Sequence, residues 1–473
     1  MGSSDRSLGA PLARGEQNSM TRGRDGGAGA PPTKHRALLA AIVTLIVAIS
    51  AAIYAGASAD DGTRAHALQT GGRLPQGDVA PASTGAWVGA WATAPAAAEP
   101  GTGTTGMAGR SVRNVVHTSV GGTGARVTLS NLYGQSPLTI THASIALAAG
   151  PGTAAAVADT MRALTFGGDA RVIIPAGGQV MSDVARIAVP YGADVLVTTY
   201  SPVASGPVTY HPMARQTSYL AQGDRTADVT ALAYTTPTPY WRYLTALDVL
   251  SHEADGTVVA FGDSITDGLG AAADANHRWT DVLAERLHRA AGDGRDTPRY
   301  SVVNEGISGN RILTSRSGRP ADNPSGLSRF ERDVLHRTNV KTVVVLLGVN
   351  DILHSPQLAD RDGILTGLRT LVDRAHARGL RVVGGTITPF GGHSGYTGAR
   401  ETMRQQINEE IRSGRVFDAV VDFDKALRDP YDPRRLRSDY DTGDHLHPND
   451  NGYARMGRAL DLDALKGAVP VAA

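Results

Sequence analysis

The sequence predicts two unlike architectures in tandem, an all-β sandwich followed by an α/β part built on a parallel sheet. Three observations predict it. Over residues 85–248, short alternating runs rich in Val, Ile and Thr are bounded by Gly and Pro, and helix signals are sparse. From Gly256 onward, strand-like runs alternate with helical patterns. The strands in this second part are near-continuous Val/Ile/Leu runs, as in sheets covered on both faces.

The first element is a tail. Residues 1–36 are rich in Gly, Ser, Pro and Arg and lack an apolar period, so disorder is expected there. Lys34, His35 and Arg36 then abut an uncharged apolar run from Ala37 to Ala57, which ends in Ala57-Ser58-Ala59. A basic flank, an apolar stretch and a small-residue site make residues 37–59 an export signal. The run approaches spanning length, so an uncleaved membrane anchor is the competing reading. Either way the basic flank stays inside and the remainder is extracellular. Residues 60–84 read as linker.

The expected strands of the β-sandwich, residues 85–248, are Ser111–Val120, Arg126–Leu132, Leu138–Leu147, Arg171–Pro175, Val184–Val189 and Asp194–Tyr200. Trp87, Trp91 and Trp241 fall in this region. Core packing or interdomain contact is the reading favoured over a sugar-stacking platform.

In the α/β part, residues 249–473, strands are expected at Thr257–Phe261, Ser301–Asn304, Lys341–Leu347, Leu380–Ile387 and Phe417–Phe423. Helices are expected near 278–291, 327–337, 361–378, 398–413 and 450–465. In such sheets the site lies at the carboxyl ends of the strands.

Composition narrows the function. The 473 residues carry 46 basic and 45 acidic side chains, a net charge of +1, unlike the one-sided basic balance of a nucleic-acid binder. There is no cysteine, which excludes disulfides, thiolate catalysis and Cys-based zinc sites. No cofactor and no metal are expected.

Four stretches place chemistry at one sheet edge. Gly262-Asp263-Ser264 follows the first strand and Ser308-Gly309 the second. Gly348-Val349-Asn350-Asp351 follows the third, and Asp444-His445-Leu446-His447-Pro448 precedes the last helix. A serine hydroxyl becomes a nucleophile when a base takes its proton. An imidazole does so near neutral pH, provided an acceptor fixes its other nitrogen. Asp444 and His447, three residues apart, can meet within one loop. The anion formed on the attacked carbonyl needs pre-aimed donors, for which the N–H groups of Ser264 and Gly309 and the amide of Asn350 are candidates. Alternatives stand beside these. His445 competes as base, Asp351 and Asp441 as acids, and Asp263 reads as a turn or helix-start residue. His277 and His393 read as surface groups. The Gly391–Tyr396 loop is a candidate lining of the substrate pocket.

These four blocks, in this order and strand context, resemble the SGNH hydrolase superfamily, also called GDSL esterases and lipases, over about 255–466. The β-rich region ahead of the blocks resembles two-part members related to acetylxylan esterases. The resemblance implies a flavodoxin-like three-layer α/β/α fold and hydrolysis of acyl esters. It favours His447 over His445 as base, with Ser264 as nucleophile and Asp444 as acid. The expected reaction is hydrolysis of carboxylic esters through an acyl-enzyme, on an acylated carbohydrate or lipid, with deacetylation of polysaccharide as one form. The alternatives are a lipase or phospholipase on acyl lipids, and a surface binding module whose hydrolase domain is inert.

Overall fold

The computed structural model describes residues 85–318, 320–354 and 359–467. The expected tail, export segment and linker, residues 1–84, lie outside the described residues. The described residues make one compact unit.

In the β-rich region, Ala86–Ala92, Leu244–Ser251, Ala125–Ser130 and Gln179–Met181 lie side by side in one antiparallel sheet. A second sheet of six strands has Arg110–His117 between Ser218–Gln222 and Asp194–Ser201. One apolar cluster draws Val88, Val127, Leu129 and Leu247 from the first sheet and Val112, Val116, Val195 and Val197 from the second. The i, i+2 spacing of these residues is what a strand with one face in a core requires. Trp91 and Trp241 are buried and meet edge to face, 4.9 Å between centroids, and the Trp241 Nε1–H donates to Val115 O at 2.8 Å. They pack in the core.

Two strand expectations change. The run Leu138–Leu147 divides at Thr141: Leu138–Ile140 pairs with Val172–Ile174, and His142–Leu147 pairs with Asp194–Ser201. The run Val184–Val189 alternates buried and exposed residues but makes only isolated bridges, Ala185 to Ala125 and Val189 to Gly122. Periodicity reports which face is buried; it does not report whether a neighbour is in register to form a ladder. The strand Leu244–Ser251 also runs through the boundary expected at 248/249.

The α/β part carries five parallel strands, Gly256–Gly262, Tyr300–Gly306, Val340–Leu346, Arg381–Gly385 and Ala419–Val421, in spatial order 2-1-3-4-5. Val259, Phe261, Val303, Val343 and Val345 enter one apolar cluster with Leu368 and Leu371 of the helix Arg361–His376 and Ile407 and Ile411 of the helix Gly398–Arg412. Val258, Ala260, Val302 and Val344 enter another, with Trp279, Leu283 and Leu287 of the helix Trp279–Gly292 and Tyr453 and Met456 of the helix Asp450–Ala459. Apolar residues are therefore needed at every strand position, which explains the unbroken runs. Each fully buried Val or Leu contributes roughly 1.5–3 kcal/mol.

The strand Tyr300–Gly306 is an edge of this sheet, and edge strands need cover. The β-rich region supplies it: the Val302 N–H donates to Ser119 Oγ at 3.1 Å, and the Gly89 N–H donates to Thr257 Oγ1 of the adjacent strand at 3.1 Å.

Candidate active site

The strand Gly256–Gly262 ends in a turn that only glycine fits. A Cβ on Gly262 would sit 2.1 Å from Thr266 Oγ1. Asp263 then opens a single helical turn, Ser264–Asp267, with the Ile265 N–H donating to Asp263 Oδ1 at 3.0 Å. Asp263 is thus the helix-start residue that its position suggested. Because the helix is only one turn long, the nearby N–H groups matter here more than any summed helix dipole.

Ser264 Oγ lies 2.9 Å from His447 Nε2, and His447 Nδ1 lies 2.5 Å from Asp444 Oδ2. Serine and histidine are buried, while Asp444 stands at the rim with its side chain about half exposed. Asp444 Oδ1 accepts the Leu446 and His447 N–H groups, each at 2.9 Å, and the Thr442 hydroxyl at 3.1 Å. Partial burial pushes the Asp444 carboxyl up, but the hydrogen bonds from His447 and Leu446 and the facing imidazole outweigh it and lower it to about 2. Asp444 is therefore ionised across the working range, and an ionised carboxylate fixes His447 with its proton on Nδ1 and Nε2 free to accept from the serine.

The competing residues pair with each other. His445 Nδ1 lies 2.6 Å from Asp441 Oδ2, with the ring turned toward the Gly391–Tyr396 loop, where a Cβ on Gly392 would touch it at 3.0 Å. Asp351 is buried and accepts the N–H groups of Ile312 at 2.8 Å and Leu313 at 3.1 Å, which holds the loop after the second strand.

The first strand lies between the second and third, so Gly309 and Asn350 flank Ser264 at the carboxyl ends of neighbouring strands. Gly309 has φ +75°, a conformation glycine adopts without penalty. Asn350 Nδ2 is buried and has no acceptor among the described residues. A buried donor left open in this way is what a developing oxyanion would use.

Other residues have roles that the sequence did not signal. Arg329, fully buried, donates to Gly262 O and Glu305 O, both at 2.8 Å, and to Asn310 Oδ1 at 3.0 Å. It thereby ties the ends of the first two strands to the Gly309 turn. An arginine in a helical pattern reads as a solvent-facing residue, so nothing in the sequence marks it. Asp267, inside the serine turn, accepts the Ser308 N–H at 3.0 Å and the Ser308 hydroxyl at 2.7 Å. His277 is on the surface, 2.8 Å from Asp450 Oδ2. His393, expected on the surface, is half-buried beside the triad: burial pushes its imidazole down, Asp444 opposes that, and His447 and His445 reinforce it. Its loop, with Asp432, Arg434 and Arg435, lines a cavity of about 260 Å³. Among the described residues no group of three or more His, Cys, Asp or Glu is placed to hold a metal ion.

Residues 260–455 match the GDSL-like Lipase/Acylhydrolase family model. No curated protein matches the chain. Similar solved structures include a carbohydrate acetylesterase from Sinorhizobium meliloti, 18% identical, covering 43% of this chain and 96% of that one with a TM-score of 0.33. A GDSL-like lipase from Bacteroides thetaiotaomicron is 18% identical, covers 43% and 84%, and has a TM-score of 0.31. An alpha/beta hydrolase enzyme from the metagenome of Lake Arreo is 20% identical, covers 44% and 93%, and has a TM-score of 0.33.

Proposed function

We propose that this serine ester hydrolase, whose residues 260–455 form a GDSL-like lipase/acylhydrolase domain, removes short acyl groups from carbohydrate outside the cell. The observation that carries the reading is the unbroken chain Ser264 Oγ, His447 and Asp444, at 2.9 and 2.5 Å, beside the open amide of Asn350. Ser264 Oγ attacks the ester carbonyl and its proton passes to His447 Nε2. The N–H groups of Ser264 and Gly309 and the Asn350 amide receive the carbonyl oxygen as it becomes an anion. His447 returns the proton to the departing alcohol, leaving an acyl-enzyme on Ser264. A water, deprotonated by the same imidazole, then attacks the acyl carbon; the bond to Ser264 Oγ breaks, His447 returns the proton to that oxygen, and the acid leaves.

Preference for a sugar alcohol rests on the surroundings of the triad. The cavity beside the Gly391–Tyr396 loop is walled by His393, Asp432, Arg434 and Arg435. These charged and ring groups offer hydrogen-bond partners to the hydroxyls of a sugar. Extracellular action rests on the apolar run from Ala37 to Ala57 behind a basic flank. A β-sandwich that runs on through Ser251 and a flavodoxin-like α/β/α layering of the catalytic part complete the proposal, supported by the two-sheet core and by the apolar clusters on both faces of the parallel sheet.

A hydrolysis profile across acyl lengths, with acetylated xylan included, tests the substrate. Acetate released from xylan, with activity falling as the acyl chain lengthens, is the expected result. A maximum at long chains would replace this reading with a lipase, and no turnover of any ester would leave an inert domain.

A further inference from the structure

The oxyanion loop of the α/β part is held from the β-rich region. His211 ends the short strand Thr209–His211 and is buried. Its Nδ1 lies 2.8 Å from Ala94 O, and its Nε2 lies 2.9 Å from Asp267 Oδ1. A carbonyl only accepts, so Nδ1 carries a proton. The other Asp267 oxygen accepts both the Ser308 N–H and the Ser308 hydroxyl. Burial opposes charge on this imidazole, but Asp267 and the bond to Ala94 raise its affinity for the proton. His211 and Asp267 thus form a buried hydrogen-bonded pair whose carboxyl group grips Ser308, the residue before Gly309.

A second path reaches the same turn. The Asn323 N–H donates to Ala96 O at 2.7 Å, and Asn323 Nδ2 donates to Ser308 O at 2.8 Å. Ala94 and Ala96 also pack directly on Ile307. Hydrogen bonds on both sides of Ser308 and an apolar contact before it therefore trace back to the segment 94–96, in the β-rich region.

We infer that the β-rich region is a working part of the oxyanion hole, with His211 acting through Asp267 as a positioning residue that aims the Gly309 N–H. The geometry gives each partner a distinct job. Asp267 lies three residues after the nucleophile and spans the turn that carries Ser264 and the turn that carries Gly309. His211, itself buried, holds that carboxyl group in orientation through its Nε2 contact. Mis-aiming by a fraction of an ångström would be felt when charge develops and hardly at all when substrate binds.

The inference rests on the esterase reading, so wild-type turnover of p-nitrophenyl acetate is measured first; its absence would sink that reading and not this one alone. Two variants of the full chain then separate positioning from simple packing. In His211→Asn the amide takes the place of Nδ1 and can still donate to Ala94 O, but the link to Asp267 is lost. In His211→Gln the amide takes the place of Nε2 and can still donate to Asp267. The expected result is a kcat lowered on the order of tenfold or more in His211→Asn at little-changed KM, with most of the rate recovered in His211→Gln. Wild-type kcat in His211→Asn, or equal losses in both variants that follow a drop in Tm, would overturn the inference. If His211→Asn does not fold, Ser308→Ala removes one bond to Asp267 from the other side. It is expected to lower kcat several-fold at constant KM, roughly the share of one of two bonds to that carboxylate, and an unchanged kcat would overturn the inference equally.

Discussion

One loop carries two acid–histidine pairs, and only one of them meets the serine. Asp441 and His445 approach to 2.6 Å, Asp444 and His447 to 2.5 Å. In both, the carboxylate also accepts N–H groups of its own turn. The difference is in what is buried. In the first pair the acid is buried, with 9% exposure, and the imidazole is 43% exposed; in the second the imidazole has 11% exposure and the acid 48%. His445 has φ +62°, a left-handed conformation that costs roughly 1–2 kcal/mol outside glycine and sends its ring to the neighbouring loop. A short acid–histidine contact is therefore no mark of a catalytic base. The mark is an imidazole whose second nitrogen is buried against a nucleophile.

Variants that treat the two pairs differently test this contrast. The largest effect belongs to the group both histidines would serve: Ser264→Ala should lower kcat by about four to six orders of magnitude while the far-ultraviolet spectrum stays unchanged. Asp444→Asn should cost about three to four orders of magnitude, because an amide can present its N–H to His447 and impose the wrong tautomer. Asp441→Asn should leave the rate near wild type. Equal losses in these two variants would erase the distinction between the pairs. Asn350→Ala should lower kcat on the order of a hundredfold or more with a modest change in KM. A loss confined to KM would make that amide a substrate contact only.

The smallest effect concerns stability beneath the serine. Burial raises the Asp263 carboxyl to about 7, the Ile265 N–H opposes it, and the charge of Asp351 adds to it. The folded chain thus binds this proton more tightly than the unfolded chain. Stability from Asp263 is fully present at low pH and is lost as pH rises from about 4 towards about 7. Asp263→Asn keeps an acceptor for Ile265 and removes the titration, so urea midpoints should vary less with pH across that window. Identical pH slopes in variant and wild type would show that Asp263 carries no such proton.

The sequence made the parallel strands and the Asp444–His447 pair readable for one reason: each is local. Five apolar runs of strand length match the five parallel strands, and Asp444 and His447 are three residues apart. What the sequence hid is non-local. The run Val184–Val189 has the right period, yet pairing depends on distant Ala125 and Gly122. His211 and Asp267 are 56 residues apart, on either side of an apparent domain boundary, so no spacing rule joins them. Arg329 is buried because the Asp333 carboxylate pairs with it and three carbonyl or amide oxygens converge on it, and that convergence exists only once the strands are assembled.

The most direct test sets the two histidines side by side. With p-nitrophenyl acetate as substrate, kcat/KM is measured for His447→Ala and His445→Ala at neutral pH. The buried base predicts a loss of about four orders of magnitude or more in His447→Ala and a rate close to wild type in His445→Ala. A comparable loss in His445→Ala, or activity retained in His447→Ala, would contradict the assignment of the base and with it the reading of Ser264 and Asp444.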